Sequence, residues 1–231
     1  MTPQTIAALN LARAERRAVA FAKNLASGHE FLLPDAGAPA ALNEIGLSAL
    51  ASDKSATYTI GTENWFVESR NPVPRLILVG AVHIAQALAP LAAMMAFEVL
   101  VVDPRRAFGN EDRFPGTEMI NEWPDEALSR LRPDVGTAVV ALTHDPKLDD
   151  PALDAALKSR AFYIGALGSR KSHAARLERL VALGHQPSVL ERVRGPVGLD
   201  IAAVTAPEIA LSVIAEIVAV RRGARLAARS T

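Results

Sequence analysis

The chain has 231 residues, half of them apolar, with 25 Lys plus Arg set against 25 Asp plus Glu and no cysteine. That length fits one main domain with an appendage, and the apolar content supports a sizeable core and excludes a disordered chain. Zero formal charge excludes a global field for nucleic acid or an anionic membrane, and the missing thiols exclude disulfides, thiolate metal sites, a cysteine nucleophile and a persulfide carried on this chain.

The N-terminal segment carries Arg13, Glu15, Arg16, Arg17 and Lys23 and has no continuous apolar run of the kind a secretory signal needs. The central apolar stretch 84–97 contains Gln86 and is too short to cross a bilayer, so a soluble cytoplasmic protein with no membrane and no nucleic-acid partner is expected. Residues 3–27 place Ile6, Leu9, Ala12, Ala20, Phe21 and Leu25 near one face of a helix, which Gly28 would stop. Residues 31–33 read as a short strand before a loop with Pro34, Gly37 and Pro39. The segments 57–60 and 65–69 flank Gly61, and that spacing predicts a hairpin. Asn71-Pro72-Val73-Pro74 is a stiff linker, which makes 1–71 a small α+β region and 72–231 the main domain.

After the linker the pattern alternates. Strand 76–79 ends at Gly80, and a helix follows over 83–96 with Pro90 inside it. Strand 99–102 ends at Asp103-Pro104, and a short helix covers 124–131. Strand 138–142 ends at Thr143-His144-Asp145-Pro146, with a helix over 151–158. Strand 162–164 ends at Gly165, and a helix over 170–183 is stopped by Gly184. The last helix, 205–220, opens with a capping box in Thr205-Ala206-Pro207-Glu208. Short strands that are apolar throughout and separated by helices predict a parallel sheet covered on both faces, an α/β, Rossmann-like doubly wound fold. Ligands of such sheets lie beyond the carboxyl ends of the strands, so the Gly-, Asp- and His-bearing turns should converge on one crevice.

Four turns carry candidate chemistry. Gly80-Ala81-Val82-His83-Ile84-Ala85 sits where a dinucleotide fingerprint belongs, but Val82 replaces its second glycine and would crowd a pyrophosphate. Asp103 lies where an acid takes ribose hydroxyls, and Arg105 and Arg106 stand ready for a 2′-phosphate instead. The alternative is an ordinary strand–helix turn with no nucleotide. In the stretch from Thr143 to Asp150, His144 and Asp145 are candidates for proton transfer. The competing reading has Asp145 and Asp149 bonding backbone amides while Asp150 caps a helix beginning at Pro151. One His among scattered carboxylates is a weak metal site, and none is assigned.

Gly165-Ala166-Leu167-Gly168-Ser169-Arg170-Lys171 pairs flexible glycines with a capping serine and two cations in a helix's first turn. Cations there oppose the helix dipole unless an anion is present, which favours a phosphate site over a solvated helix start. Gly195-Pro196-Val197-Gly198-Leu199-Asp200 is a rigid loop, with Asp200 able to orient a ligand or cap a turn. Trp65 and Trp123 read as packing anchors, and His29, His173 and His185 as surface residues. The final helix is nearly apolar all round, so it is either a core helix or the face of a homodimer.

These blocks carry a resemblance. The runs 80–88, from Gly80 to Leu88, 142–150, with Thr143-His144-Asp145, 163–170, with Gly165, Gly168 and Ser169, and 195–201, with Gly198 and Asp200, resemble the signature blocks of the XdhC/CoxI family. The resemblance covers about 150 residues from Arg75 to the last helix. It implies a C-terminal Rossmann-like domain and a role as accessory factor for xanthine dehydrogenase, carbon monoxide dehydrogenase and related molybdenum hydroxylases. It further implies binding of the molybdenum cofactor, a phosphate-bearing pterin dithiolene in mono- or dinucleotide form, with an apo-hydroxylase and a cysteine desulfurase as partners. Two departures stand out. Many members carry a cysteine in a glycine-rich N-terminal module, and this chain has none. Many also have glycine where Val82 stands, which weakens the rival reading, an NAD(P)-dependent oxidoreductase.

Overall fold

The computed structural model of the chain describes residues 1–105, 108–109 and 112–224. They form two units, Met1–Pro72 and the residues from Val73 on.

The first unit opens with α1 (Pro3–Ala14), capped by the Thr2 hydroxyl, which accepts from the Thr5 amide. The helix expected over 3–27 is cut short: Arg16 takes a left-handed φ of 52°, and the chain continues as β1 (Val19–Asn24). Ala20, Phe21 and Ala22 are compatible with either state, and four successive buried residues favour the strand here. β2 (Glu30–Leu33), α2 (Ala40–Ser52), β3 (Ala56–Ile60) and β4 (Glu63–Arg70) complete the unit. The expected hairpin is β3–β4, with Tyr58 opposite Trp65. The antiparallel sheet runs β2-β1-β4-β3, and α2, which the sequence pattern does not announce, closes a core of Ala20, Ala22, Leu33, Leu42, Ala49, Trp65 and Val67. Gly46 lets α2 approach: a β-carbon there would fall 2.8 Å from Leu33 Cδ1.

The second unit runs β5 (Arg75–Val79), α3 (His83–Met94), β6 (Glu98–Val102), β7 (Glu118–Ile120), α4 (Pro124–Leu131), β8 (Thr137–Ala141), α5 (Pro146–Lys158), β9 (Tyr163–Ala166), α6 (Arg170–Ala182), α7 (Pro187–Leu190), β10 (Val193–Arg194) and α8 (Ala206–Arg221). The sheet has six strands rather than the expected four; β7 and β10 are the additions. Its pairings are parallel throughout, in the order β10-β9-β8-β5-β6-β7. Numbered within the domain, the order is that of the Rossmann fold, and the direction of winding reverses between β5 and β8.

Side-chain alternation explains the layers. Leu76 and Leu78 of β5 join residues of α3 and α8 in one core, whereas Ile77 and Val79 join residues of α4, α5 and α6 in the other. Both faces are covered, so β5 and β8 are buried at every position. Burial of each large aliphatic side chain contributes about 1.5–3 kcal/mol. Because the strands are parallel, all their carboxyl ends meet one edge, and the turns of interest follow them.

Candidate functional site at the carboxyl edge of the sheet

The turns after β5 and β8 touch. Gly80 has φ +109°, and a β-carbon there would fall 2.4 Å from Thr143 Cγ2, so only glycine fits both the turn and the neighbour. Val82, half-buried, is the N-cap residue of α3 and supplies no capping hydrogen bond. His83 begins the helix and is exposed. Among the described residues no side chain caps the first-turn amides of α3, a helix that starts at the carboxyl edge of the sheet.

Asp103, after β6, is fully buried. Its Oδ2 accepts from the Ala81 amide at 2.8 Å and from Arg105 Nη2 at 2.7 Å, and its Oδ1 accepts from the Arg105 amide at 3.0 Å and from Arg105 Nε at 2.8 Å. Burial opposes ionisation of this carboxyl, but the bonds from Arg105 and Ala81 outweigh it and hold its pKa below the ordinary value. Arg105 in turn lies over the Phe108 ring, 4.5 Å from its centroid. The hydrogen bond to Asp103 raises the pKa of Arg105, and Asp145 and Asp149 add to that at longer range. Arg106 lies outside the described residues.

After β8 the Thr143 hydroxyl donates to Asp149 Oδ1 at 2.6 Å and accepts from the Asp145 amide at 3.1 Å. His144 is exposed, with a left-handed φ of 61°. Asp145 caps α5 by accepting from the Lys147 amide at 3.0 Å, so α5 starts at Pro146 and not at the expected Pro151, which lies inside it. Asp149 also accepts from the Thr143 amide at 3.3 Å, so both aspartates bond backbone amides. Asp150 pairs with the Arg179 guanidinium of α6 and caps no helix.

The turn after β9 joins the same chain of contacts. Buried Arg176 of α6 donates to the Leu167 carbonyl at 2.8 Å and faces Asp149 Oδ2 at 3.5 Å. Burial raises the pKa of Asp149 against the pull of Thr143 and Arg176, and burial lowers that of Arg176 against the pull of Asp149. Asp149 Oδ2, Arg176 Nε and Arg176 Nη1 are buried without a hydrogen bond. Gly168 has φ +142°, and a β-carbon there would meet Ser172 Oγ at 2.4 Å. Ser169 caps α6 by accepting from the Ser172 amide, and Ser169, Arg170 and Lys171 are exposed.

Gly165 and Gly198 are packed inward. A β-carbon on Gly165 would fall 2.5 Å from Val197 Cγ2, and one on Gly198 would fall 2.3 Å from Ser212 Oγ. Buried Glu216 of α8 accepts from the Gly198 amide at 2.9 Å and from the Tyr163 hydroxyl at 2.5 Å, and faces Arg194 at 3.4 Å. Asp200 is exposed.

An unbroken line of contacts thus joins Arg105, Asp103, Ala81, Gly80, Thr143, Asp149, Arg176 and Leu167. Sequence reasoning does not find Arg176, Glu216 or Tyr163; Ser212 and Glu216, one turn apart in the otherwise apolar middle of α8, are the available signal. Of the histidines expected at the surface, His185 instead has a side chain 9% exposed, 2.8 Å from Asp154 Oδ1, and His173 is half-buried beside Gly195. Among the described residues, no group of three or more His, Asp or Glu side chains is placed to hold a metal ion, and no helix is long and apolar enough to cross a membrane.

The family signature of the XdhC Rossmann domain matches residues 76–217. The chain is 38% identical over 162 residues to a probable xanthine dehydrogenase subunit of Bacillus subtilis (strain 168), covering 70% of this chain and 47% of that protein. It is 35% identical over 158 residues to the molybdenum cofactor insertion chaperone PaoD of Escherichia coli (strain K12), covering 68% of this chain and 43% of that protein. The match therefore spans less than half the length of either relative. A crystal structure from Bacillus halodurans, named as a xanthine dehydrogenase, superposes with a TM-score of 0.69 at 23% identity, over 98% of this chain and 66% of that one, and bears on the fold alone. With its signature spanning the parallel sheet and the turns at its carboxyl edge, the chain belongs to the XdhC family.

Proposed function

We propose that this protein is an accessory factor that holds the molybdenum cofactor for sulfuration and for insertion into an apo-hydroxylase of the xanthine dehydrogenase type. The observation that carries this reading is the convergence of the Gly80, Thr143 and Gly168 turns on the edge of the sheet where the strand order reverses. One relative is named as a molybdenum cofactor insertion chaperone, which supports this choice of ligand.

The residues present fit such a group. It is an anionic pterin with a phosphate tail, in mono- or dinucleotide form, and when bound it supplies oxygen-transfer chemistry at molybdenum for the client enzyme. The uncapped amides of α3, beside Gly80, Val82 and His83, would take phosphate oxygens. Exposed Ser169, Arg170 and Lys171 at the start of α6 would take a second anionic edge. Thr143 orients the β8 turn, where His144 and Asp145 are the candidates for proton transfer. Gly165 and Gly198, packed against Val197 and Ser212, would support the turns behind the ligand, and exposed Asp200 would orient it. Because the chain has no cysteine, sulfur would come from a separate cysteine desulfurase. We expect a cytoplasmic homodimer, formed through the half-exposed Leu211 side of α8.

The rival reading, an NAD(P)-dependent oxidoreductase, needs in its NAD form an Asp103 free to bind ribose hydroxyls, and Arg105 and Ala81 already occupy that carboxylate. Purification of the chain from cells that make the cofactor tests the proposal. Retention of molybdenum cofactor through gel filtration, weakened about tenfold by Arg170→Ala with Lys171→Ala, is expected. Absence of retained cofactor, or retention unaffected by the double substitution, would contradict it.

A further inference from the structure

We infer that Arg105 reads a phosphomonoester on the ligand at the position where folds of this strand order take a ribose diol. The inference rests on the crevice reading above and names the chemistry of one of its ends.

An acid at the end of the second strand binds a ribose by accepting from its hydroxyls, which requires vacant acceptor positions facing the ligand. Asp103 has the place but not the vacancy. It is fully buried, and its two oxygens each accept two hydrogen bonds, from the Ala81 and Arg105 amides and from both Nε and Nη2 of Arg105. A carboxylate has about four acceptor positions, so a diol finds none open. The group presented in its place is the Arg105 guanidinium, whose side chain is 36% exposed.

Arg105 is built to bind and not merely to pair. Its Nε–Nη2 edge is fixed by Asp103 and its face by Phe108, itself 44% exposed. Nη1 makes no hydrogen bond among the described residues. A guanidinium carries five N–H donors, two of which serve the carboxylate side chain here, leaving three in a planar array that is already ordered. The entropy of holding the side chain is therefore lost before a ligand arrives. Such an array matches the several acceptor oxygens of a phosphate and has no acceptor for the donors of a diol. Asp103 cancels part of the charge, so recognition works through hydrogen-bond geometry as much as through the field.

The phosphomonoester has two possible sources, a ribose phosphate on a nucleotide or a terminal phosphate with no nucleoside. Titration calorimetry of the full chain with 5′-ADP, 2′,5′-ADP and inorganic pyrophosphate separates them. We expect 2′,5′-ADP to bind at least about tenfold tighter than 5′-ADP, and Arg105→Gln to bring the two within about twofold. Pyrophosphate binding as tightly as 2′,5′-ADP, with the same dependence on Arg105, assigns the source without a nucleoside; much weaker pyrophosphate binding assigns the nucleotide. The wild-type ratio stands alone should the variant fail to fold. Equal affinity for the two ADP isomers, or no binding of any of the three probes, overturns the inference whether or not the chain retains molybdenum cofactor. A 2′,5′-ADP preference in a chain that retains no cofactor supports the inference and overturns the cofactor proposal instead.

Discussion

Gly80 and Thr143 meet so closely that a β-carbon on the glycine would fall 2.4 Å from Thr143 Cγ2, and their contact welds the turns after β5 and β8 at the point where the sheet reverses its winding. Gly80 also has φ +109°, a conformation costly for any other residue. Gly80→Ala should therefore cost roughly 2–5 kcal/mol, part from backbone strain and part from overpacking. Thr143→Ser removes the methyl group in the way and keeps the hydroxyl bonded to Asp149, so the double variant should recover at least about 1 kcal/mol of the loss. Urea denaturation of the four proteins checks this; a double variant no more stable than Gly80→Ala alone would mean that the two turns do not press on each other.

The Asp149–Arg176 pair makes a pH-dependent prediction. Burial raises the folded-state pKa of Asp149 above its unfolded value, so stability linked to this group is full below the unfolded pKa and is lost as pH rises through the folded one. Arg176 opposes that loss. Arg176→Met leaves the carboxylate buried without its counter-charge and should cost about 3–5 kcal/mol near neutral pH. The same change pushes the Asp149 pKa further up, so the penalty should shrink as pH falls and the carboxyl is protonated. Denaturation of wild type and variant at about pH 8 and about pH 5 measures the difference; an equal penalty at both would show that Asp149 and Arg176 are not coupled.

Glu216 ties α8 to the loop after β10. Glu216→Ala removes the acceptor used by the Gly198 amide and the Tyr163 hydroxyl and should cost about 3–5 kcal/mol. Tyr163→Phe should cost about 2 kcal/mol, and the double variant less than the sum, because both changes delete one shared bond. Additive losses in thermal or chemical denaturation would contradict this arrangement.

Local chemistry explains which parts of this architecture can be read from residues alone. The capping box of α8 is present as Thr205 and Glu208, the β3–β4 hairpin folds around its Gly61 turn, and Ser169 caps α6. Each of these signals lies within a few residues of the structure it specifies. β1 reads as helix because Ala, Phe, Ala and Lys suit either state, and only pairing with β2 and β4 decides between them. β7 and β10, three and two residues long, are too short to show a period. Two prolines compete for the start of α5, and Asp145-Pro146 carries the same cap and first-turn signal as Asp150-Pro151; the structure uses the earlier one. Arg176 and Glu216 are illegible for a different reason. Asp149 and Leu167, and Tyr163 and Gly198, are brought to them by the tertiary fold, and a lone charge on a helix reads as surface until its neighbours are known.

In the proposed function the molybdenum cofactor lies at the carboxyl edge of the parallel sheet. Backbone amide NMR of the full chain during titration with the cofactor tests it most directly. The largest shifts are expected on Gly80, Ala81, Thr143, Gly168 and Ser169. Shifts confined to residues away from that edge, such as Leu211 and Val218 along α8, with the five turn amides unmoved at saturation, would contradict it.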